Sequence, residues 1–289
     1  MPLWKYLLLH VYYHGLLPTR WLRRRAYERA GRVPVVVLLY HRVARDMTTD
    51  WTISAQRFAQ QILWLKRHFP LVSLGEAQRI LRSGENRRPC VSITFDDGYA
   101  ENCQEAIPLL VKERIPCTYF VTARNVLEGV PFPHDVAAGS PLPPNSPEQL
   151  RAMAAAGIEI GAHTYTHADL GKLTDPDILQ REIVTAGEML ADAIARPVRY
   201  FAFPFGKHRN LTPTAFRVAR EAGYEAVCSA YGGYNFPGDD PFHLLRIAAD
   251  PWTIRLKNWT TIDPRKLGIG HCEGPACPQQ PAVPMTIEG

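Results

Sequence analysis

The sequence predicts an α/β fold, a closed barrel of about seven parallel strands over residues 33–270, on three observations. Its strand-like runs are continuously apolar instead of alternating, as strands covered on both faces are. Helical stretches with recognisable end signals lie between those runs. Acidic and histidine residues collect just after strand runs, where α/β barrels gather their reactive groups. An open, doubly wound sheet satisfies the first two observations equally well.

The chain has 289 residues, 46% hydrophobic and 21% charged, which supports a sizeable core and excludes wholesale disorder. Its formal charge of +5 is concentrated before the first strand. There Arg20, Arg23, Arg24, Arg25, Arg29 and Arg32 follow "WKYLLLHVYYHGLL". This segment, residues 1–32, fits either a solvated helix at the domain edge or peripheral contact with an anionic membrane surface, its aromatics at the headgroup level. It is too short, and too interrupted by His10, His14 and Gly15, to span a bilayer. It also lacks the small-residue cleavage site of a secretory signal, and a cell-envelope or membrane-associated location is favoured.

The first strand is "VPVVVLLYH" (33–41). Ser73 and Glu76 make a capping box for "LGEAQRILRSG", which Gly84 stops. Strands "CVSITF" (90–95) and "CTYFVT" (117–122) come next, then a proline-rich loop over one face, residues 131–147. Ser146, Pro147 and Gln149 open the helix "EQLRAMAAAG", closed by Gly157 and followed by the strand "IEIGAH" (158–163). Thr174 with Asp177 opens a long helix to about residue 195, before "RYFAFP" (199–204). Thr212 and Pro213 open "TAFRVAREAG", ended by Gly223, and the last strands are "EAVCSA" (225–230) and "LLRIAA" (244–249). The segment 271–289, "HCEGPACPQQPAVPMTIEG", reads as a disordered tail. Cys90, Cys103, Cys117 and Cys228 sit in or beside apolar runs without paired spacing, as buried free thiols do. His271, Cys272 and Cys277 in the tail match no common zinc module.

The stretch "CVSITFDDGYAENC" places two carboxylates, Asp96 and Asp97, side by side after an apolar strand. Like charges there repel and lose solvation, so a compensating cation is expected nearby. Downstream, "HTYTH" follows another strand and carries His163 and His167 four residues apart, the spacing that puts both imidazoles on one face of a helical turn. One aspartate and two histidines form a three-ligand set with open positions for water and substrate, as a catalytic Zn2+ needs. An Asp-Asp doublet alone is commonly a turn or helix start, and a lone histidine pair is more often structural than metal-binding. Their joint placement after two strands of one barrel is what points to a site.

"TFDDGY" with "HTYTH", then "FAFPFG", resembles the polysaccharide deacetylases of the NodB-homology type, carbohydrate esterase family four, over most of residues 35–250. The resemblance implies a distorted, NodB-like (β/α) barrel and metal-dependent removal of acetyl groups from sugars. By matching positions, Asp96 is the general base, while Asp97, His163 and His167 hold a divalent metal, Zn2+ first, with Co2+, Ni2+ or Mn2+ as alternatives. Such a cation lowers the pKa of bound water from about 15.7 to about 7, so a neighbouring carboxylate suffices as base. "FPFG" at 203–206 matches the segment whose backbone N–H stabilises the oxyanion, which assigns that role to Phe205.

The sequence departs from the family pattern in two places. The usual late Leu-x-His, source of the general acid, has Leu245 but Ile247 in the histidine position. The early "LLYHRV" resembles permuted branches of the family, biofilm-glycan deacetylases among them, that place this histidine after the first strand. His41 is therefore the expected acid, with His243 and His208 behind it. The usual arginine of the "RPPYG" type segment is also missing, Ala202 standing in its place, and Arg246 or Arg42 is left to orient Asp96. Tyr231, Tyr234, Phe236 and Trp252 follow late strands, and with Arg246 they are the candidate substrate contacts, although loop packing is the commoner role of such aromatics. "GGYNFPGDD" is a candidate lid.

The expected activity is removal of N-acetyl groups from an N-acetylated glycan such as an exopolysaccharide. The same chemistry on a lipid-linked sugar, O-acetyl hydrolysis, and a non-catalytic glycan-binding module are the alternatives. The basic residues carry no nucleic-acid recognition motif.

Overall fold

The computed structural model describes residues 2–46, 49–249 and 251–270. The expectations for the tail, including His271, Cys272 and Cys277, lie outside the described residues. Eight parallel strands form one sheet: β1 (Val35–Tyr40), β4 (Cys90–Phe95), β5 (Cys117–Val121), β6 (Glu159–Ala162), β7 (Tyr200–Ala202), β8 (Ala226–Cys228), β9 (His243–Leu244) and β10 (Arg246–Ala248). A separate pair, β2 (Arg42–Ala44) with β3 (Thr52–Ser54), follows the first strand. The order β10-β1-β4-β5-β6-β7-β8-β9 places the two last strands at opposite ends of the list. Only Leu245 separates them in sequence, so they are one interrupted stave that pairs β8 with its first half and β1 with its second. Counted so, the barrel has the seven staves expected from the sequence, and it closes at this seam.

Asn235, fully buried, staples the seam. Its side chain accepts from the Leu245 N–H (2.8 Å) and donates to the Leu245 carbonyl (2.9 Å), satisfying the residue at which the strand changes partners. Its backbone exchanges both hydrogen bonds with Val35 at the start of β1 (2.8 and 3.1 Å).

Alternation along the strands sorts the apolar residues into two layers. Val35, Val37, Cys90, Phe120, Ala202, Cys228 and Leu244 face inward and meet Leu74, Ala77 and Leu81 of the helix Leu74–Ser83, which plugs one end. Val36, Leu38, Tyr40, Val91, Ile93 and Phe95 face outward and pack with the surrounding helices. Along the inward row of β4 the sequence turns polar, Ser92 and Thr94 leading to Asp96, so the other end of the barrel is where polar chemistry gathers. Cys90, Cys117 and Cys228 are buried and Cys103 is half-buried, all as free thiols.

The helix ends follow the expected chemistry. Both capping boxes form, at Ser73–Glu76 and Ser146–Gln149, and the Thr212 side chain accepts from the Ala215 N–H (3.1 Å). One correction concerns the long helix before β7. Its N-cap is Asp175, not Thr174: the Asp175 carboxylate accepts from the Asp177 and Ile178 N–H groups, and Pro176 sits at the first helical position. The helix also contains a π-helical turn, Arg181–Thr185, between Pro176–Gln180 and Ala186–Ile194.

The N-terminal segment forms α1 (Leu3–Gly15) and α2 (Leu17–Ala30). Both are tied to the helix Thr253–Thr260 and the turn after it. The buried Arg20 guanidinium donates to the Asn258 carbonyl (2.8 Å), the Asn258 side chain (2.6 Å) and Thr261 Oγ1 (2.9 Å), and Tyr12 OH donates to Asp263 (3.0 Å). Among the described residues no helix is long and apolar enough to cross a membrane.

Candidate active site

The Asp96–Asp97 doublet ends β4 at the polar mouth of the barrel. The Asp96 N–H donates to the Tyr40 carbonyl (2.9 Å) as the last rung beside β1. The chain then turns through Asp97 and Gly98 at φ of 75° and 91°. The φ of 91° is what calls for glycine at Gly98, and a side chain there would also press on Val121 at 3.0 Å. The two carboxylates take different partners. Asp96 lies against Arg246, whose Nη1 and Nη2 donate to its two oxygens at 2.6 and 2.8 Å. Asp97 Oδ1 lies 3.6 Å from His163 Nε2 and 3.3 Å from His167 Nε2.

His163 continues the inward row of β6. Its Nδ1 is 2.8 Å from the Ala202 carbonyl, which can only accept, so Nδ1 carries the proton and Nε2 presents a lone pair to Asp97. His167 does not sit on a helical turn, as its spacing suggested, but in a loop, with Thr164 and His167 both at φ 63°. The loop is tied to the π-helical turn, where buried Glu182 accepts from the Tyr165 N–H (3.0 Å), the Thr166 N–H (2.9 Å) and Thr166 Oγ1 (2.7 Å). Glu182 thereby anchors the loop that carries His167.

Backbone strain gathers at this mouth. Seven non-glycine residues have positive φ among those described, and Asp97, Thr164, His167 and Phe205 are four of them. Phe205, at φ 61°, stands exposed, its ring 5.1 Å from that of His167, and no backbone acceptor among the described residues takes its N–H. The loop holding it is fixed by Ala230 N–H donating to the Gly206 carbonyl (2.8 Å).

Burial opposes the Asp97 charge, but the His167 hydrogen bond and the electrostatic pull of His41 and His167 outweigh it and hold the carboxyl well below its usual range. His163 is pushed down to about 4, chiefly by burial and against the pull of Asp96 and Asp97. The site is therefore an ionised carboxylate facing a neutral imidazole with a free lone pair. The ligand atoms of Asp97, His163 and His167 all lie within 4.8 Å of one another, and this donor set fits a divalent cation.

His41 has the same parity as Val35 and Val37 and lines a cavity of about 280 Å³ with Tyr40, Trp51, Ala248, Pro251 and Trp259. Of the two arginines considered for Asp96, Arg246 reaches it; Arg42 is engaged with Thr52, Asp46 and Glu101. Arg246 is fully buried, which places it behind Asp96 and away from any glycan surface. Tyr234 is buried as well, donating to the Trp259 carbonyl (2.6 Å) and accepting from the Asp263 N–H (2.7 Å), so it packs and offers no face to a sugar. Trp252 rests between Tyr6 and Arg57, and Tyr231 stacks on His208 at 3.8 Å. His243 is buried against Phe216, its Nε2 3.0 Å from Ser229 Oγ. Ile247, in the position of the missing histidine, is buried in the outer layer.

Sequence reasoning missed Glu182, Trp51, Phe132 and His134. The last three form an aromatic wall beside His167: His134 lies 5.4 Å from Trp51 and 5.3 Å from Phe132, and Phe132 lies 5.5 Å from His167. Phe132 and His134 come from the proline-rich stretch 131–147, which the sequence predicts to be a loop throughout but which contains the short helix Pro133–Ala137, with Phe132 at its N-cap. Nothing marks Glu182, since an acid within an amphipathic helix ordinarily faces water.

The profile of the polysaccharide deacetylase family matches residues 83–227. A poly-beta-1,6-N-acetyl-D-glucosamine N-deacetylase of Staphylococcus aureus is 23% identical over 221 residues, covering 73% of this chain and 72% of its own. Among solved structures, IcaB from Ammonifex degensii superposes with a TM-score of 0.66 at 27% identity, over 79% of this chain and 97% of its own. The Streptococcus pyogenes deacetylase PplD, solved with acetate, shares the fold with a TM-score of 0.65 at 20% identity, over 79% and 98% of the two chains.

Two outcomes are expected. Glu182→Gln loses an anionic acceptor, and with Zn2+ as the probe cation it should weaken binding at the Asp97, His163 and His167 cluster by about 10- to 100-fold, measured by competition with a chromophoric chelator; unchanged affinity would show that the loop holds itself. In metal-free protein, the folded state resists protonating His163 down to about pH 4, whereas the unfolded chain takes up that proton near 6.5. Stability therefore falls as pH drops through that window, by on the order of 2–3 kcal/mol. Denaturant melts of the wild type and His163→Gln should differ in slope there, and identical slopes would contradict the assignment.

Proposed function

We propose, on the premise that the chain belongs to the polysaccharide deacetylase family, that it hydrolyses the linear amide of an N-acetylated sugar residue in a glycan. The observation that carries this reading is the convergence of Asp97, His163 and His167 on one point, with Asp96 beside them on its own arginine. Asp97 and the two imidazoles would hold the divalent cation, Zn2+ in preference to Co2+, Ni2+ or Mn2+. A cation there supplies Lewis acidity that polarises an acetyl carbonyl and acidifies water.

Asp96 is the base. Its Oδ2 lies 3.9 Å from His163 Nε2, close enough to the ligand cluster to meet a water held there, and Arg246 fixes the plane of the carboxylate while leaving lone pairs free. The water gives its proton to Asp96 and its oxygen to the acetyl carbon. The Phe205 N–H donates to the oxygen that becomes negative. His41 protonates the sugar nitrogen as the C–N bond breaks, so that an amine departs and acetate remains. Two features favour His41: its inward parity at the mouth, and its electrostatic pull on Asp97. This arrangement corresponds to the permuted branches that the early tyrosine-histidine pair resembles. Trp51 and His134, part-exposed beside His167, offer flat faces for a sugar ring. The named substrate of the Staphylococcus aureus relative supports a polymer of N-acetylglucosamine as the glycan.

Acetate release from N-acetylglucosamine oligomers, with O-acetylated glycans in parallel, tests the substrate class. Release only from the O-acetyl substrates would make the enzyme an esterase, and tight metal without acetate from either would make it a binding module. Asp96→Asn should bind Zn2+ as the wild type does and lose about 10²- to 10⁴-fold in turnover; a variant keeping most of its activity would remove Asp96 as the base. His41→Ala should lower kcat by a similar factor with KM little changed, and an unchanged kcat would place the acid elsewhere.

A further inference from the structure

We propose that the outward face of α1 and α2 lies on an anionic lipid bilayer and holds the barrel at the membrane surface. On α1, Leu3, Trp4, Leu7, Leu8 and Val11 form one helical stripe, and all are exposed, Val11 at 68%. The other side of that helix faces the protein, with Tyr6 against Trp252. On α2, Trp21 and Leu22 are exposed at 57% and 60%, while the buried Arg20 points inward to Asn258 and Asp263. Single exposed apolar residues are ordinary, but a contiguous stripe carried over two consecutive helices is not.

The stripe does not hold the helices in place. That role falls to the buried Arg20 and to Tyr12, both bonded to the segment 258–263. The outward apolar residues are therefore left for something outside the chain. Charge identifies it. Arg24, Arg25 and Arg29 are exposed on α2 among these same residues, and Trp21, Leu22, Arg25, Arg29 and Arg87 border a groove of about 560 Å³. Glu28 also lines that groove and is held by Arg24 at 2.7 Å. Apolar and tryptophan side chains beside exposed guanidinium groups complement acyl chains below and phosphates above. A second copy of the chain would instead bring two arginine-rich faces together. No described helix is long enough to cross a bilayer, so the contact is one that lies on the surface. The Tyr6 contact sets the start of α1 beside Trp252, next to Pro251 of the cavity that His41 lines. A bilayer under α1 thus has the mouth of the barrel near its edge.

The test is co-sedimentation of the full chain with vesicles of phosphatidylglycerol mixed with phosphatidylcholine, against phosphatidylcholine alone, at moderate salt. The wild type should partition to the anionic vesicles at least about 10-fold more strongly. The pair Arg25→Glu and Arg29→Glu should remove that preference, and Leu7→Glu with Leu8→Glu should abolish sedimentation with either vesicle. Thermal melts and Zn2+ uptake report whether the variants remain folded. Should the leucine pair fail to fold, Trp4→Ser serves instead, with an expected loss of partitioning and of the blue shift in tryptophan emission on adding vesicles. Equal partitioning of the wild type and the arginine variant would overturn the proposal. So would a wild-type dimer, broken by the leucine substitutions, that ignores vesicles.

Discussion

Two consecutive carboxylates at a buried strand end each need a partner of their own, and the left-handed backbone at Asp97 turns the second back to the barrel mouth beside the first. A buried carboxylate without a partner costs several kcal/mol. Here each has its own compensation: a bidentate guanidinium for Asp96, a pair of imidazoles for Asp97. The proposed division of roles between base and metal ligand rests on both carboxylates reaching one mouth toward different partners. An extended backbone would place successive side chains on opposite faces of the sheet, one inside the barrel and one outside.

The closing seam of the barrel serves the same end. The final stave changes partners at Leu245, and the first residue of its second half is Arg246. Arg246 is inside the barrel, where its Nε also donates to the Ser229 carbonyl (3.0 Å) and its Nη1 lies 3.3 Å from Thr94 Oγ1. The arginine missing at Ala202 is thus replaced from another strand, and Ala202 contributes its carbonyl to His163 instead. Asn235 keeps the interrupted strand hydrogen-bonded, so closing the fold and orienting Asp96 depend on the same few residues.

Much of this was legible in the chain itself. Continuous apolar runs announced staves covered on both faces, caps and glycines marked the helices, and the doublet with the histidine pair marked the mouth. What stayed hidden depends on contacts between distant segments. Glu182 looks like any helical acid until the π-helical turn aims it at a loop 16 residues away. Tyr234 and Trp252 follow late strands as sugar-binding aromatics would, yet packing against Trp259, Tyr6 and Arg57 claims them. The choice between Arg246 and Arg42 could not be made without knowing which strand neighbours which, and Asp175 displaced Thr174 as cap because the next residue is a proline.

The proposed chemistry stands on the cluster of Asp97, His163 and His167. Anomalous diffraction at the zinc edge from crystals of the Zn2+-loaded protein tests it most directly. One strong peak is expected, enclosed by Asp97 Oδ1 and the Nε2 atoms of His163 and His167, with Asp96 still on Arg246 and outside the ligand set. A peak elsewhere on the molecule, or one ligated by Asp96 in place of Asp97, would contradict it.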